Sequence, residues 1–415
     1  MSAVTEAAKF TVLVPTRERG YTLHETLQTC VAQDYDGLEI IVSDNFSTDN
    51  TREVVQSFQD SRVRYVNPGR RLSMTQNWEF ALSHARNGYV TVLGDDDGLL
   101  PHAVSDAAKI IAASGTRILS WLKAEYCWPD HIISENRNLL ILPLLNQLIR
   151  FDARLALRDV RRFWLPYNRA PTLYNSFVHC DAIRDVRAHD GTFFKSLAPD
   201  VYSGIVLLSV VKWYLYSTRP FSLNGASARS TGTSDSYPAV DKGPSDEFTR
   251  ELGPDPDLAF GRLPGSINAV IAECLLQADK HCFAGTLQPS KRLLIWRILS
   301  ELARKGPEAY RRALPELLLI ARRHDLEKFT LVCAKLNRVR PLSAGVLNTG
   351  LDGRGHLTLD STRFDVANVR EAAVVAAKIL GPYQVPEKTI GYSALSRLYS
   401  LLIRWVHDRP RDRSF

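Results

Sequence analysis

"YVTVLGDDDGLLP" (Tyr89 to Pro101) puts a β-branched run, three consecutive aspartates and the approach to a helix into one short stretch. The run reads as a strand, and the glycines and acids that end it suit neither strand nor helix. Adjacent carboxylates repel one another unless a cation or hydrogen-bond donors offset their charge. Hard divalent cations such as Mg²⁺ and Mn²⁺ take oxygen ligands, and they combine one or two protein carboxylates with the phosphate oxygens of a nucleotide. The stretch therefore predicts a strand with a metal-holding turn at its carboxyl end. Asp97 is the expected ligand, and Asp95 is expected to accept ribose hydroxyls or reach the metal through water. A surface turn whose acids cap the next helix is the alternative.

Upstream, the same pattern recurs. "FTVLVPT" (Phe10 to Thr16), "LEIIVSDN" (Leu38 to Asn45) and "VRYVN" read as strands, and "HETLQTCVAQDY", "TDNTREVVQSF" and "SMTQNWEFALSHA" between them carry helical spacing. Alternation of strand and helix predicts a mostly parallel sheet flanked by helices, with ligands at the carboxyl ends of the strands. "PTRERG", "SDNFSTD" and "GDDDG" all fall at such ends, so they should converge on one crevice. In that crevice Pro15 and Thr16 offer backbone and Arg17 a contact to base or phosphate. Asp44 offers an acceptor for a base N–H or a ribose hydroxyl. The guanidinium groups of Arg70 and Arg71 suit diphosphate oxygens, and Asn77 opens the next helix.

Downstream, "VSDAAKIIAAS" reads as a helix, "NSFVHCDAIRDV" as a strand and turn, "APDVYSGIVLLSVVK" as a polar loop opening an apolar helix, and "WYLYSTRPFSLNG" as one strand. Residues 232–257, rich in Pro, Gly, Ser and Asp, read as a linker or mobile loop. They divide an expected catalytic domain, 1–231, from an expected mainly helical domain, 258–415. The last helix of that domain, "ALSRLYSLLIRWVH", has three readings: core packing, contact with a partner subunit in a homo-oligomer, or a peripheral contact with an anionic membrane surface.

Composition bounds the class. The 415 residues, 45% hydrophobic and 23% charged, are those of an ordinary globular protein. Residues 1–100 carry 9 Lys+Arg against 14 Asp+Glu, and the remainder carries 43 against 31. The basic part is either a solvated face or one that meets an anionic acceptor or membrane surface. Six scattered cysteines with no CxxC pair fit a reducing compartment and give no ground for structural zinc. The first residues lack a signal-peptide pattern, and no apolar run is long enough to span a bilayer, so a cytosolic location is expected.

Taken in order, "VLVPTRERG", "IIVSDNFSTD", "SMTQNWEFAL", "YVTVLGDDDGLLP" and a later "APD" resemble a family 2 glycosyltransferase of the GT-A fold over residues 10 to 230. The resemblance implies a nucleotide-diphosphate sugar donor, UDP-linked by expectation, a divalent cation, and a hexosyltransferase that inverts the anomeric carbon. The family's Asp-x-Asp motif falls on Asp95, Asp96 and Asp97, which adds Asp96 to the donor contacts. Its late catalytic acid falls on Asp200, as the base that deprotonates the acceptor hydroxyl; a helix N-cap is the other role open to Asp200. Glu18 departs from the family, where many relatives carry Asn, and the residues after the linker have no family counterpart.

Three further expectations complete the site. Arg229 and Ser230, with Ser227, lie on a small-residue loop that closes over the diphosphate or serves as a linker. His179, His189 and Asp190 lie where an acceptor pocket would form. Two other classes remain open. A nucleotidyltransferase would want a Gly-rich phosphate loop where "PTRERG" stands, and a polyanion-binding protein would interleave aromatics with a basic run. No nucleic-acid partner is expected.

Overall fold

The computed structural model describes residues 7–230, 263, 265–339 and 347–392. Its first half follows the predicted alternation: β1 (Phe10–Thr16), α1 (Gly20–Val31), β2 (Leu38–Asp44), α2 (Thr51–Gln56), β3 (Val63–Val66), α3 (Met74–Ser83) and β4 (Tyr89–Val92). β1 is central, parallel to β2 on one side and to β4 on the other, and β3 adds parallel to β2. Val12, Leu13 and Val14 are buried beneath helices on both faces, which is why the strand reads as a continuous apolar run. α3 starts on a capping box, with Ser73 accepting from the Gln76 amide while the Gln76 side chain accepts from Ser73.

Past the acid turn the chain builds two sheets at once. β5 (Gly98–Leu99), α4 (Ala103–Ser114), β6 (Ile118–Trp121), β7 (Ala124–Cys127), β8 (Leu139–Pro143), β9 (Leu148–Asp152), α5 (Ala153–Arg161), β10 (Ser176–His179), α6 (Cys180–Arg187), α7 (Pro199–Val210), β11 (Trp213–Ser217) and β12 (Ser222–Ala226) follow in order. The run "WYLYSTRPFSLNG" is therefore two strands, broken around Pro220. β11 lies parallel to β6 in the large sheet, and β12 lies parallel to β7 in a small one. β10 inserts antiparallel between β4 and β6.

Among the described residues four helices follow: α8 (Ile267–His281), α9 (Lys291–Arg304), α10 (Pro307–Arg323) and α11 (Glu327–Leu336). α8 packs against α7, and one apolar core runs from Leu13 and Trp78 through Ile205 to Leu294 and Leu317. Then β13 (Gly350–Leu351), β14 (His356–Asp360), α12 (Val369–Leu380) and β15 (Thr389–Gly391) return to the first half. β14 pairs with β8, β15 pairs with β9, and α12 covers α1. The large sheet has the order β15-β9-β11-β6-β10-β4-β1-β2-β3, and the small one β13-β14-β8-β7-β12-β5.

The expectation of a separate helical domain from residue 258 onward is corrected here. The helices share the core of α7, and the strands after them complete both sheets. The expected linker, 232–257, and the last helix, from Ala394 onward, lie outside the described residues. No helix among the described residues is long and apolar enough to cross a membrane. All six cysteines are free thiols.

Candidate functional site

Asp95, Asp96 and Asp97 form the turn between β4 and β5, and all three are buried, at 5%, 4% and 1% exposure. Because β5 pairs with β12 and β12 with β7, the turn is gripped by both strands. Each aspartate faces different donors. Asp95 accepts from the Thr16 hydroxyl at 2.8 Å and pairs with the Arg19 guanidinium at 2.8 Å. Asp96 accepts from the Ser227 hydroxyl at 2.6 Å, and its main-chain oxygen accepts from the Trp128 indole at 2.9 Å. Asp97 accepts from the Gly225 amide at 2.7 Å through Oδ1, and from the Gly94 amide at 3.0 Å and the Tyr174 hydroxyl through Oδ2.

The electrostatics follow from this sharing. Burial, together with the charges of Asp97 and Asp95, pushes the Asp96 carboxyl up to about 7, although Arg19 pulls the other way. Burial also raises Asp97, against the hydrogen bonds from Tyr174 and Gly225 and the charge of Lys123. Burial opposes the Arg19 charge, but Asp95 and Asp96 more than offset it, so Arg19 stays firmly protonated. Tyr174 is held well above the usual phenol range by burial and by Asp97.

The three post-strand loops do converge. Glu18, with φ 54°, accepts from the Thr48 and Asp49 amides and donates its own amide to the Ser47 hydroxyl, which ties the loop after β1 to the loop after β2. Asp49 in turn accepts from the Gly20 amide at the start of α1. The loop after β12 closes the ring. Arg229 donates to the Glu18 carbonyl at 2.6 Å, Arg19 donates to the Arg229 carbonyl, and the Ala228 amide reaches Asp130. Ser230 turns back on Ser227 through its amide.

Other expected residues are placed as follows. The Asp44 carboxylate accepts from Ser47, Tyr65 and Asn67. Asn77 is buried, and its amide group bonds Ser43 in both directions, so it faces the interior of the sheet and not a ligand. Asn45 clamps Leu72 through two hydrogen bonds, which fixes the exposed Arg70 and Arg71 beside the end of β2. Pro15 and Arg17 flank Thr16 where β1 runs out, both half-buried.

Asp200 lies in the first turn of α7, with Pro199 at its start and Ala198 in the N-cap position, where no side chain makes a capping hydrogen bond. Its carboxyl is raised by burial, against the Val201 amide and the charge of Lys123. The Asp200 charge also bears on Tyr174, which bonds Asp97. Asp200 and the acid turn thus share one electrostatic neighbourhood.

The acceptor expectations are less well met. His179 lies opposite Tyr89 at the amino end of β4, the far edge of the sheet from the acid turn, where it caps α6. His189 is exposed just after α6. Asp190 is engaged by Lys195 and by His281 of α8.

The fit to a metal also differs from expectation. Both oxygens of Asp97 are taken by N–H and O–H donors, and both oxygens of Asp95 are taken by Arg19 and Thr16. Asp96 alone keeps one carboxylate oxygen without a donor among the described residues. No three of His, Cys, Asp and Glu gather as ligands there. This donor set suits a cation brought in with phosphate oxygens and held by a single protein oxygen, not a resident ion in an all-protein cage.

Arg19, Lys123, Tyr174, Trp128 and Gly225 escaped the sequence reading as site residues. Arg19 stood within the quoted "PTRERG" cluster; Lys123 and Tyr174 lie in the irregular middle, with no motif to flag them.

Residues 11–150 match the family model described as glycosyl transferase family 2. The chain is 40% identical over 100 residues to the GalNAc(5)-diNAcBac-PP-undecaprenol β-1,3-glucosyltransferase of Campylobacter jejuni, covering 23% of this chain and 32% of that one. It is 29% identical over 76 residues to the UDP-Glc:α-D-GlcNAc-diphosphoundecaprenol β-1,3-glucosyltransferase of Escherichia coli, covering 18% and 30%. The matched stretch thus spans less than a third of each of these relatives. Among solved structures, TarS 1–349 of S. aureus in complex with UDP-GlcNAc aligns over 79% of this chain and 90% of that one, at 17% identity and a TM-score of 0.43. The mannosyltransferase PcManGT from Pyrobaculum calidifontis, in complex with GDP-Man and Mn²⁺, aligns over 80% and 87%, at 18% identity and a TM-score of 0.41. Over residues 11–150 the chain is thus similar to glycosyl transferase family 2 proteins, within a mixed α/β fold whose central sheet is mostly parallel.

Proposed function

We propose that the chain transfers a sugar from a nucleotide-diphosphate donor to a hydroxyl of a glycan, with inversion at the anomeric carbon. The observation that carries this reading is the convergence of the three post-strand loops on a buried acid turn, with Asp200 bearing on it from α7. The names of the C. jejuni and E. coli relatives support a diphosphate-linked saccharide as acceptor, and the E. coli name supports a UDP-linked donor. A place at the cytosolic face of a membrane would bring the chain to such an acceptor.

In the reaction, the acceptor oxygen attacks the anomeric carbon from the side opposite the diphosphate, and its proton passes to Asp200. The bond from the anomeric carbon to the diphosphate breaks, its electron pair stays on the phosphate oxygen, and a nucleoside diphosphate leaves. Asp44, Thr16 and the loop after β1 shape the pocket for base and ribose. The clasp made by Arg19, Ser227 and Arg229 closes the site against water. A divalent cation bound with the diphosphate would be held by Asp96 and would neutralise the charge growing on the leaving group.

The test is to incubate the full chain with a panel of nucleotide sugars and a diphosphate-linked saccharide, and to measure nucleoside diphosphate and extended glycan. Stoichiometric appearance of both is expected. Synthesis of nucleotide sugar from a sugar phosphate and a nucleoside triphosphate would replace this reading with a nucleotidyltransferase.

A further inference from the structure

Lys123 follows β6 in the short link to β7 and is half-buried. Its ammonium lies 5.7 Å from the centroid of the Tyr174 ring, whose hydroxyl is bonded to Asp97. Its charge acts on both Asp97 of the acid turn and Asp200 in the first turn of α7. Neighbouring cations are spent: Arg19 on Asp95 and the Arg229 carbonyl, Arg229 on the Glu18 carbonyl. Lys123 forms no ion pair and donates no hydrogen bond among the described residues. An ammonium carries three donors, and leaving them unmet in a partly desolvated crevice costs energy.

We propose that Lys123 binds the diphosphate of the donor and takes up the charge that grows on it as the bond to the anomeric carbon breaks. This rests on the transferase reading. A diphosphate entering a crevice lined by Asp95, Asp96, Asp97 and Asp200 meets like charges on several sides. A compact cation with unspent donors on a flexible stem offsets them, and its contact strengthens as the electron pair moves onto the phosphate oxygen. The acceptor proton still goes to Asp200.

The experiment is calorimetric titration of the full chain, Lys123→Met and Lys123→Arg with UDP, UMP, GDP and GMP, alongside urea unfolding of each. Lys123→Met is expected to weaken the diphosphates roughly 10- to 100-fold, the worth of one charge-assisted hydrogen bond, while the monophosphates change little. Lys123→Arg is expected to keep most of the preference for diphosphate, and it carries the test if the methionine variant does not fold. Equal losses for mono- and diphosphates would overturn the proposal. So would unchanged diphosphate binding with a raised KM for the acceptor, which would put Lys123 on the acceptor side. A wild-type chain that binds none of the four nucleotides refutes the transferase reading, and this proposal with it.

Discussion

Gly225→Ala should separate the acid turn from β12. A Cβ at position 225 would fall 1.7 Å from the main-chain oxygen of Asp96 and 2.7 Å from the Trp128 indole nitrogen. Neither atom can yield without moving the turn, because the first accepts the indole N–H and the second donates it. β12 must shift instead, which loosens the Gly225 amide from Asp97 and the Ser227 hydroxyl from Asp96. Losing one hydrogen bond to a buried charged group costs about 1.5–3 kcal/mol, and overpacking adds about 1–3 kcal/mol. A destabilisation of about 2.5–6 kcal/mol follows, together with loss of nucleoside diphosphate binding. Urea unfolding followed by tryptophan fluorescence measures the first, and calorimetry the second. Gly353→Ala, whose added Cβ meets nothing within 4 Å, is the control and should stay within about 0.5 kcal/mol of wild type. A Gly225→Ala chain with the wild-type urea midpoint and unchanged UDP affinity would refute the joint between turn and strand.

Asp200→Asn should lower kcat by about 10²–10⁴-fold while leaving UDP binding intact; steady-state kinetics with calorimetry checks both. Since burial raises the Asp200 carboxyl and the base works ionised, kcat/KM should climb with pH on an acid limb centred above the ordinary aspartate value of about 4. Asp200→Asn should lack that limb. Asp96, pushed up to about 7, keeps a proton in the native chain that the unfolded chain has already lost. Native protein therefore binds more protons in that window, and stability should fall as pH rises from about 4 toward about 7. Asp96→Asn should flatten that part of the urea-midpoint curve. Tyr174→Phe removes one donor from the buried Asp97 carboxylate and should cost about 1–3 kcal/mol in urea unfolding.

How far the sequence could be read depends on how local each decision was. β1 to β4 and their helices were legible because each is set by its own periodicity and caps, as with Ser73 and Gln76 on α3. The run from Trp213 to Gly225 was not, since its two halves pair with partners in different sheets, and no local pattern records that split. The return of β14 and β15 was hidden for the same reason. Short half-exposed strands carry little period, and their partners, β8 and β9, lie far away in the chain. Among site residues, the acid turn announced itself through the repulsion of three adjacent carboxylates. Its division of labour did not, because it depends on donors from elsewhere: Arg19 from the loop after β1, Tyr174 ahead of β10, Gly225 and Ser227 from β12 and its loop. That is why Asp97, read as the metal ligand, proves to be the most fully bonded of the three.

The central claim is that this crevice holds a nucleotide-diphosphate sugar and that Asp200 deprotonates the acceptor. The most direct measurement is nucleoside diphosphate release from a nucleotide sugar in the presence of a diphosphate-linked saccharide, by wild type and by Asp200→Asn, with UDP affinity measured for both. Turnover by wild type, its loss in Asp200→Asn and equal UDP affinity are predicted. Wild-type turnover in Asp200→Asn, or no diphosphate binding by either chain, would contradict the account.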